Sequence, residues 1–179
     1  MTLYSYQNNQ PQLHHTVFIA PTAQIIGNVH IGQESSVWFG SILRGDMDTI
    51  RVGEQTNIQD LCMCHADEAI PLTIGNRVTI GHGCIVHGCT IEDECLIGMG
   101  AVIMNNAVIG KGCVIAAGSV VLENTIIPPY SLVVGAPGKI KKTFENKNQI
   151  QTLIKIMSDI YVANGQNYGS DQIFYEITD

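Results

Sequence analysis

The chain has 179 residues, 45% of them hydrophobic, enough for one well-cored domain with an appendage. Its net charge is −7, and its few Lys and Arg are scattered, which excludes a nucleic-acid surface built on clustered cations. The opening MTLYSYQNNQ lacks the positive start and apolar core of a secretory signal, and no apolar run nears the roughly 20 residues of a membrane span, so a cytoplasmic protein without a membrane partner is expected.

Along the chain, aliphatic residues recur every six positions. Ile19, Ile25, Ile31, Val37 and Leu43 open the series. Three extra residues intervene before Val52, Ile58 and Cys64 resume it, and four more, around DEAIPL, before Ile74, Ile80 and Val86. One residue is then missing, and the series runs unbroken through Ile91, Ile97, Ile103, Ile109, Ile115, Val121, Ile127 and Val133. Six is neither a helical period nor strand alternation. It is the period of a short strand plus a turn, and one such unit cannot bury its aliphatic residue alone. Stacked coils can, so the nineteen units predict a parallel β-helix with three faces, eighteen residues per coil and just over six coils.

GAPGKIKK ends the repeat. Lys139, Lys141 and Lys142 there are too short a run for a binding patch and are expected in a solvated turn. Ile150, Leu153, Ile154, Met157, Ile160 and Tyr161 then follow helical spacing. They predict a helix over 144–163, stopped near Gly165 and packed along the prism. The expected organisation is a β-helix domain over 1–140 and a C-terminal helix and tail over 141–179.

Three histidines carry the candidate chemistry. His65 and His87 are each the second residue of units three apart, so they share a face one coil apart, with backbones about 4.8 Å from one another. Both follow an inward aliphatic residue and should point outward. His82 is the third residue of a unit on the adjacent face, around a corner from the other two. Three prisms packed around a threefold axis would bring His82 of one subunit to His65 and His87 of another. Three imidazoles with an open fourth position are the catalytic zinc pattern. Arg44 stacks in phase with His65 and His87, and Asp60 with His82, so this pair would also meet across the interface. His14, His15 and His30 have no such partners and are read as surface or packing residues. The six cysteines, at 62, 64, 84, 89, 95 and 113, are expected to be reduced, small and buried. Cys62 and Cys64 have CxC spacing beside His65, but no second pair completes a thiolate site.

The segments WFGSILRGDMDTIRVG (38–53), TNIQDLCMCH (56–65) and GHGCIVHGC (81–89), with the ending VVGAPGKIKK and its helix, resemble the γ-class carbonic anhydrases and their relatives over about 10–165. The resemblance implies a left-handed β-helix and a homotrimer with a divalent metal at each interface, held by His65 and His87 of one chain and His82 of the next. It implies Zn2+, with Fe2+ and Co2+ accepted by the same imidazoles. Arg44, Asp46 and Asp60 match interface ion-pair residues, Gln59 the residue that orients a metal-bound hydroxide, Asn57 a polar neighbour, and Tyr161 a site tyrosine. The implied reaction is the reversible hydration of carbon dioxide to bicarbonate by that hydroxide. Two features depart from the pattern: Met47 stands where active archetypes carry glutamate, and the acidic loop with its shuttle glutamate is absent, leaving only Asp67 and Glu68 nearby. Two alternatives therefore stay open, an acyl-CoA thioesterase on the same site and a trimeric accessory or scaffold protein with weak or no hydratase activity. A CoA-dependent acyltransferase would use a histidine base and no metal, and the three-histidine set argues against it.

Overall fold

A computed structural model describes residues 2–170 and 172–175. All nineteen periodic aliphatic positions are buried, and none is more than 7% exposed. Strands of mostly two residues, such as Val108–Ile109 and Val114–Ile115, stack in parallel and in register. Ile19, Val37, Ile58, Ile80, Ile97, Ile115 and Val133 form one column. Ile25, Leu43, Cys64, Val86, Ile103 and Val121 form the second. Ile31, Val52, Ile74, Ile91, Ile109 and Ile127 form the third. The three columns meet along one axis as a single hydrophobic core. Thr2–Tyr4 and Gln12–Leu13 pair ahead of Ile25 and Ile31, so the solenoid starts one partial coil before the six-residue series does.

The corners explain the period. Glu94, Gly100, Asn106, Gly112, Gly118, Asn124 and Tyr130 lie six apart, and every one has a positive φ. Each two-residue strand is followed by a turn whose last residue is left-handed, where Gly and Asn are cheapest. Leu61 takes this conformation where the neighbouring coils have Gly40, Gly83 and Gly100, and its side chain lies over Gly40, where a Cβ would stand 2.8 Å away.

The two insertions sit where the sequence breaks. The first gives a long irregular strand, Ile42–Val52, with a register shift opposite Gly27–Val29. The second is a small loop closed by an antiparallel bridge between Asp67 and Ile70.

The C-terminus departs from expectation in two places. Lys139–Thr143 is an exposed strand, antiparallel to Ser131–Val134, so the three lysines occupy a sheet edge rather than a turn. Lysine is suited to an exposed edge because it discourages further strand pairing. The helix covers Lys147–Tyr168, capped by Asn146, whose side chain accepts from the Gln149 backbone N–H. Gly165 is inside it and buried: a Cβ there would come within 3.3 Å of Phe18, so close packing rather than helix termination requires the glycine. Ile150 and Ile154 face the first column, whereas Leu153 and Ile160 are exposed. No helix among the described residues is long and apolar enough to cross a membrane.

Glu94 ties the helix to the solenoid. It accepts from Gln151 of the helix at 2.9 Å and from Arg77 at 2.9 Å, with Lys111 at 3.4 Å. Burial raises its pKa, but the Gln151 and Arg77 hydrogen bonds and the Lys111 charge outweigh that and hold it below the ordinary 4.5. Because the unfolded chain takes the proton more readily, this contribution is present above the ordinary pKa and lost as pH falls through the folded one. Glu94→Gln should therefore lower the melting temperature at neutral pH, and the gap to wild type should close on acidification in melts across pH. Ile97→Ala, at a fully buried position, should cost about 2–5 kcal/mol in urea unfolding, whereas Ile126→Ser, on the exposed side, should cost within about 0.5 kcal/mol.

Candidate metal centre

The second column carries the histidines. Arg44, His65 and His87 are aligned in successive coils. His65 and His87 rings lie edge to face with centroids 4.9 Å apart, the strand spacing expressed in side chains. His65 Nδ1 and His87 Nε2 are 2.9 Å apart, and His65 Nε2 reaches Asp46 Oδ1 at 3.0 Å. Asp46 in turn accepts from Arg44. Burial raises the Asp46 pKa, but the Arg44 and His65 hydrogen bonds and the Arg44 charge more than offset it and hold the carboxyl below 3.8. Asp46 is thus an acceptor at neutral pH, and His65 donates to it from Nε2–H. The His65 Nδ1 lone pair is then directed at His87.

Asp67, at the start of the four-residue loop, adds a carboxylate. Its Oδ1 lies 3.9 Å from His87 Nε2, and His65, Asp67 and His87 offer ligand atoms all within 4.8 Å of one another. Tetrahedral zinc with nitrogen ligands at 2.0–2.1 Å holds them about 3.3 Å apart, close to the spacing here. Two neutral imidazoles that face each other through ring nitrogens need a proton or a cation between them. The donor set, imidazoles with a carboxylate, suits a divalent ion of the zinc, iron or cobalt kind.

The remaining residues picked out in the sequence form a second group, at the other edge of the same face. His82 follows Ile80 at the corner that precedes the strand of His87, and Asp60 follows Ile58 in the coil before. His82 Nδ1 pairs with Asp60 Oδ2 at 2.9 Å, and the Gly83 backbone N–H donates to the Asp60 carbonyl. Asn57 and Gln59 are buried beside them: Gln59 Nε2 donates to Asn57 Oδ1, and Asn57 Nδ2 to Thr79 Oγ1. Tyr161 of the helix stands edge-on to Trp38 at 5.4 Å, and its pKa is raised by burial and by the negative charge of Asp60.

Within one chain the candidates therefore form two half-sites. One has Arg44, Asp46, His65 and His87; the other has Asn57, Gln59, Asp60, His82 and Tyr161. Within a chain Arg44 pairs with Asp46 and not with Asp60. Sequence reasoning did not assign Asp67 and Asn105 to the site. His87 Nδ1 meets Asn105 Oδ1 at 2.6 Å, one coil on. The eighteen-residue offset between His87 and Asn105 was the available signal, since it places them in adjacent coils.

Cys62 and Cys64 are buried in the core and away from this surface. Cys62, Cys84, Cys95 and Cys113 donate S–H to main-chain carbonyls one coil on, at 3.1–3.2 Å. Burial raises the Cys64 thiol pKa and pushes that of Cys89 up to about 12. A thiol-specific disulfide reagent should titrate none of the six cysteines in the native protein and all six in denaturant.

The family model of bacterial transferase hexapeptide repeats matches residues 71–105 and 88–123. Over 124 residues the chain is 56% identical to a "probable carbonic anhydrase" of Methanocaldococcus jannaschii, across 69% of this chain and 78% of the relative. It is 40% identical over 166 residues to a carbonic anhydrase of Geobacillus kaustophilus, across 93% of this chain and 90% of that one. The match to a mitochondrial gamma carbonic anhydrase of Arabidopsis thaliana is 45% identical over 60% of this chain but spans only 41% of the plant protein. A solved hexapeptide transferase family protein of Anaplasma phagocytophilum superposes with a TM-score of 0.88 at 38% identity, across 93% of this chain and 98% of that one. Fold and hand are those of the left-handed β-helix built from hexapeptide repeats.

Proposed function

As the chain belongs to the γ-carbonic anhydrase family, we propose that it is a homotrimer that reversibly hydrates carbon dioxide at divalent-metal sites shared between subunits. The observation that carries this reading is the separation of the site into two halves on opposite edges of one face. Neither half is a three-histidine site, and a second copy supplies what each lacks.

The outer surface supports the same assembly. The helix covers the first column, where Ser36, Asn57 and Thr79 are buried. The third column presents His30, Arg51, Thr73 and Thr90 outward in register, which water can satisfy, and turns apolar only at Val108 and Ile126 in its last coils. The second column, between the two half-sites, presents Ile42, Met63, Ile85, Val102 and Val120 outward in one row. A continuous apolar row on a sheet face calls for a cover.

His65 and His87 of one chain and His82 of the next would hold the ion, Zn2+ in the first instance. When bound, such an ion lowers the pKa of a water to about 7 and makes it a nucleophile at neutral pH. Asp46 holds His65 by its Nε2–H and keeps Nδ1 for the ion. Asp60 holds His82 by Nδ1 and leaves Nε2 for the ion. Gln59, anchored by Asn57, orients the oxygen that attacks carbon dioxide, with Tyr161 beside it. Arg44 meets Asp60 of the neighbour as an ion pair between subunits.

Thioester hydrolysis of an acyl-CoA at the same site is the second reading. Met47, next to Asp46, is 52% exposed and offers an apolar rim where a proton-carrying glutamate stands in the archetypes. Carbon dioxide and acyl-CoA assays run on the same preparation separate the two.

Protein purified without chelator should hold about one metal per chain, and His87→Ala and His82→Ala should each lose it together with hydration. Co-expressed, the two variants should regain about a quarter of the wild-type metal, because sites that combine the intact half of each chain are complete. Mixed trimers as empty as the parents would sink the shared site. Metal without hydration would point to the thioester or the scaffold reading.

A further inference from the structure

We infer that Asn105 is a positioning residue that, anchored by Asp67, fixes the tautomer of His87 and so its readiness to bind a metal. This rests on the metal-site reading above, but its central observation concerns the chain alone. Neutral imidazole carries one N–H, and which nitrogen has the lone pair depends on what the other one donates to. His87 Nδ1 lies 2.6 Å from Asn105 Oδ1. A side-chain amide can turn either end toward a neighbour, so this contact alone would not define the tautomer. Asp67 removes the ambiguity. Asn105 Nδ2 donates to Asp67 Oδ2 at 2.8 Å, and a carboxylate only accepts. The amide oxygen must then face His87, and His87 must donate from Nδ1–H. The lone pair is left on Nε2, facing His65 Nδ1 across the 2.9 Å gap that a proton or a cation must fill.

The backbone is shaped for this contact. Gly88 has φ +47, and a Cβ there would lie 2.5 Å from Asn105 Oδ1 and 2.8 Å from Ile70. The Gly88 backbone N–H donates to the His65 carbonyl, and the Asn106 N–H donates to the Gly88 carbonyl. A larger residue at 88 would occupy the space through which the amide reaches the ring. The loop that brings Asp67 to Asn105 is closed by an antiparallel bridge in which the Ile70 backbone N–H donates to the Asp67 carbonyl. The four-residue insertion that breaks the sequence period thus delivers the group that orients Asn105.

Outer partners of this kind set ligand orientation and basicity, and their loss costs about 10–100-fold in metal affinity. The test is nitrogen NMR of histidine-labelled, metal-free full-length protein at about pH 8, where ordinary imidazole is neutral. Zinc affinity is measured alongside, by competition with a chromophoric chelator. Wild type should show His87 as the Nδ1–H form. Asn105→Ala should show mixed tautomers and bind zinc about 10–100-fold more weakly. The exchange Asp67→Asn with Asn105→Asp keeps the net charge and an acceptor toward His87, and should restore the Nδ1–H tautomer. Unchanged tautomer and affinity in Asn105→Ala would overturn the inference. So would an exchanged variant, folded by circular dichroism, whose His87 tautomers stay as mixed as those of the alanine variant. Wild-type protein that takes up no zinc would refute the hydratase reading instead, with the metal-free tautomer deciding the role of Asn105 separately.

Discussion

Everything in this molecule depends on in-register stacking of short parallel strands. A two-residue strand has almost no stability of its own, and its one inward side chain is covered by its counterparts one coil before and after and by the other two columns across the axis. The core is therefore continuous along the axis, with Ile97, Ile103 and Ile109 fully buried on three successive faces of the last coils. The demand on each unit is small but strict: one aliphatic residue inward and a residue that tolerates a positive φ at the corner.

The same register determines the chemistry. Outward side chains at equivalent positions of neighbouring coils are held one strand spacing apart, close to what two ligands of one ion require. His65 and His87 meet for that reason, and Asn105, one coil on, supports His87 for the same reason. A β-helix thus builds a rigid imidazole pair and its backing from residues eighteen or so positions apart. The insertions matter because they are the places where this regularity gives way. The long strand around Asp46 and the loop around Asp67 each place a carboxylate beside an imidazole.

Division of the candidate site between two edges gives the fold a further constraint. A rigid prism cannot bend His82 toward His87, so a three-imidazole site would need its third ligand from another subunit. The apolar row between the half-sites links the two matters, since burying it and completing the metal site would be one event. An assembly of this kind ties stability of the oligomer to the site.

The period of six, the burial of its nineteen inward positions and the shared phase of His65 and His87 were all legible in the sequence, because stacking converts linear spacing directly into spatial register. So was the location of His82 around a corner. The sequence was less informative where contacts ignore the period. It misjudged Gly165, whose role is set by Phe18 across the helix interface, and the lysines of Lys139–Thr143, whose state depends on pairing with Ser131–Val134. Asp67 and Asn105 lie 38 residues apart, and only the closed loop joins them. Periodic burial is a local, repeated signal that each unit carries. The direction of an amide or an imidazole is decided by the atoms that happen to surround it, and those come together only in the folded chain.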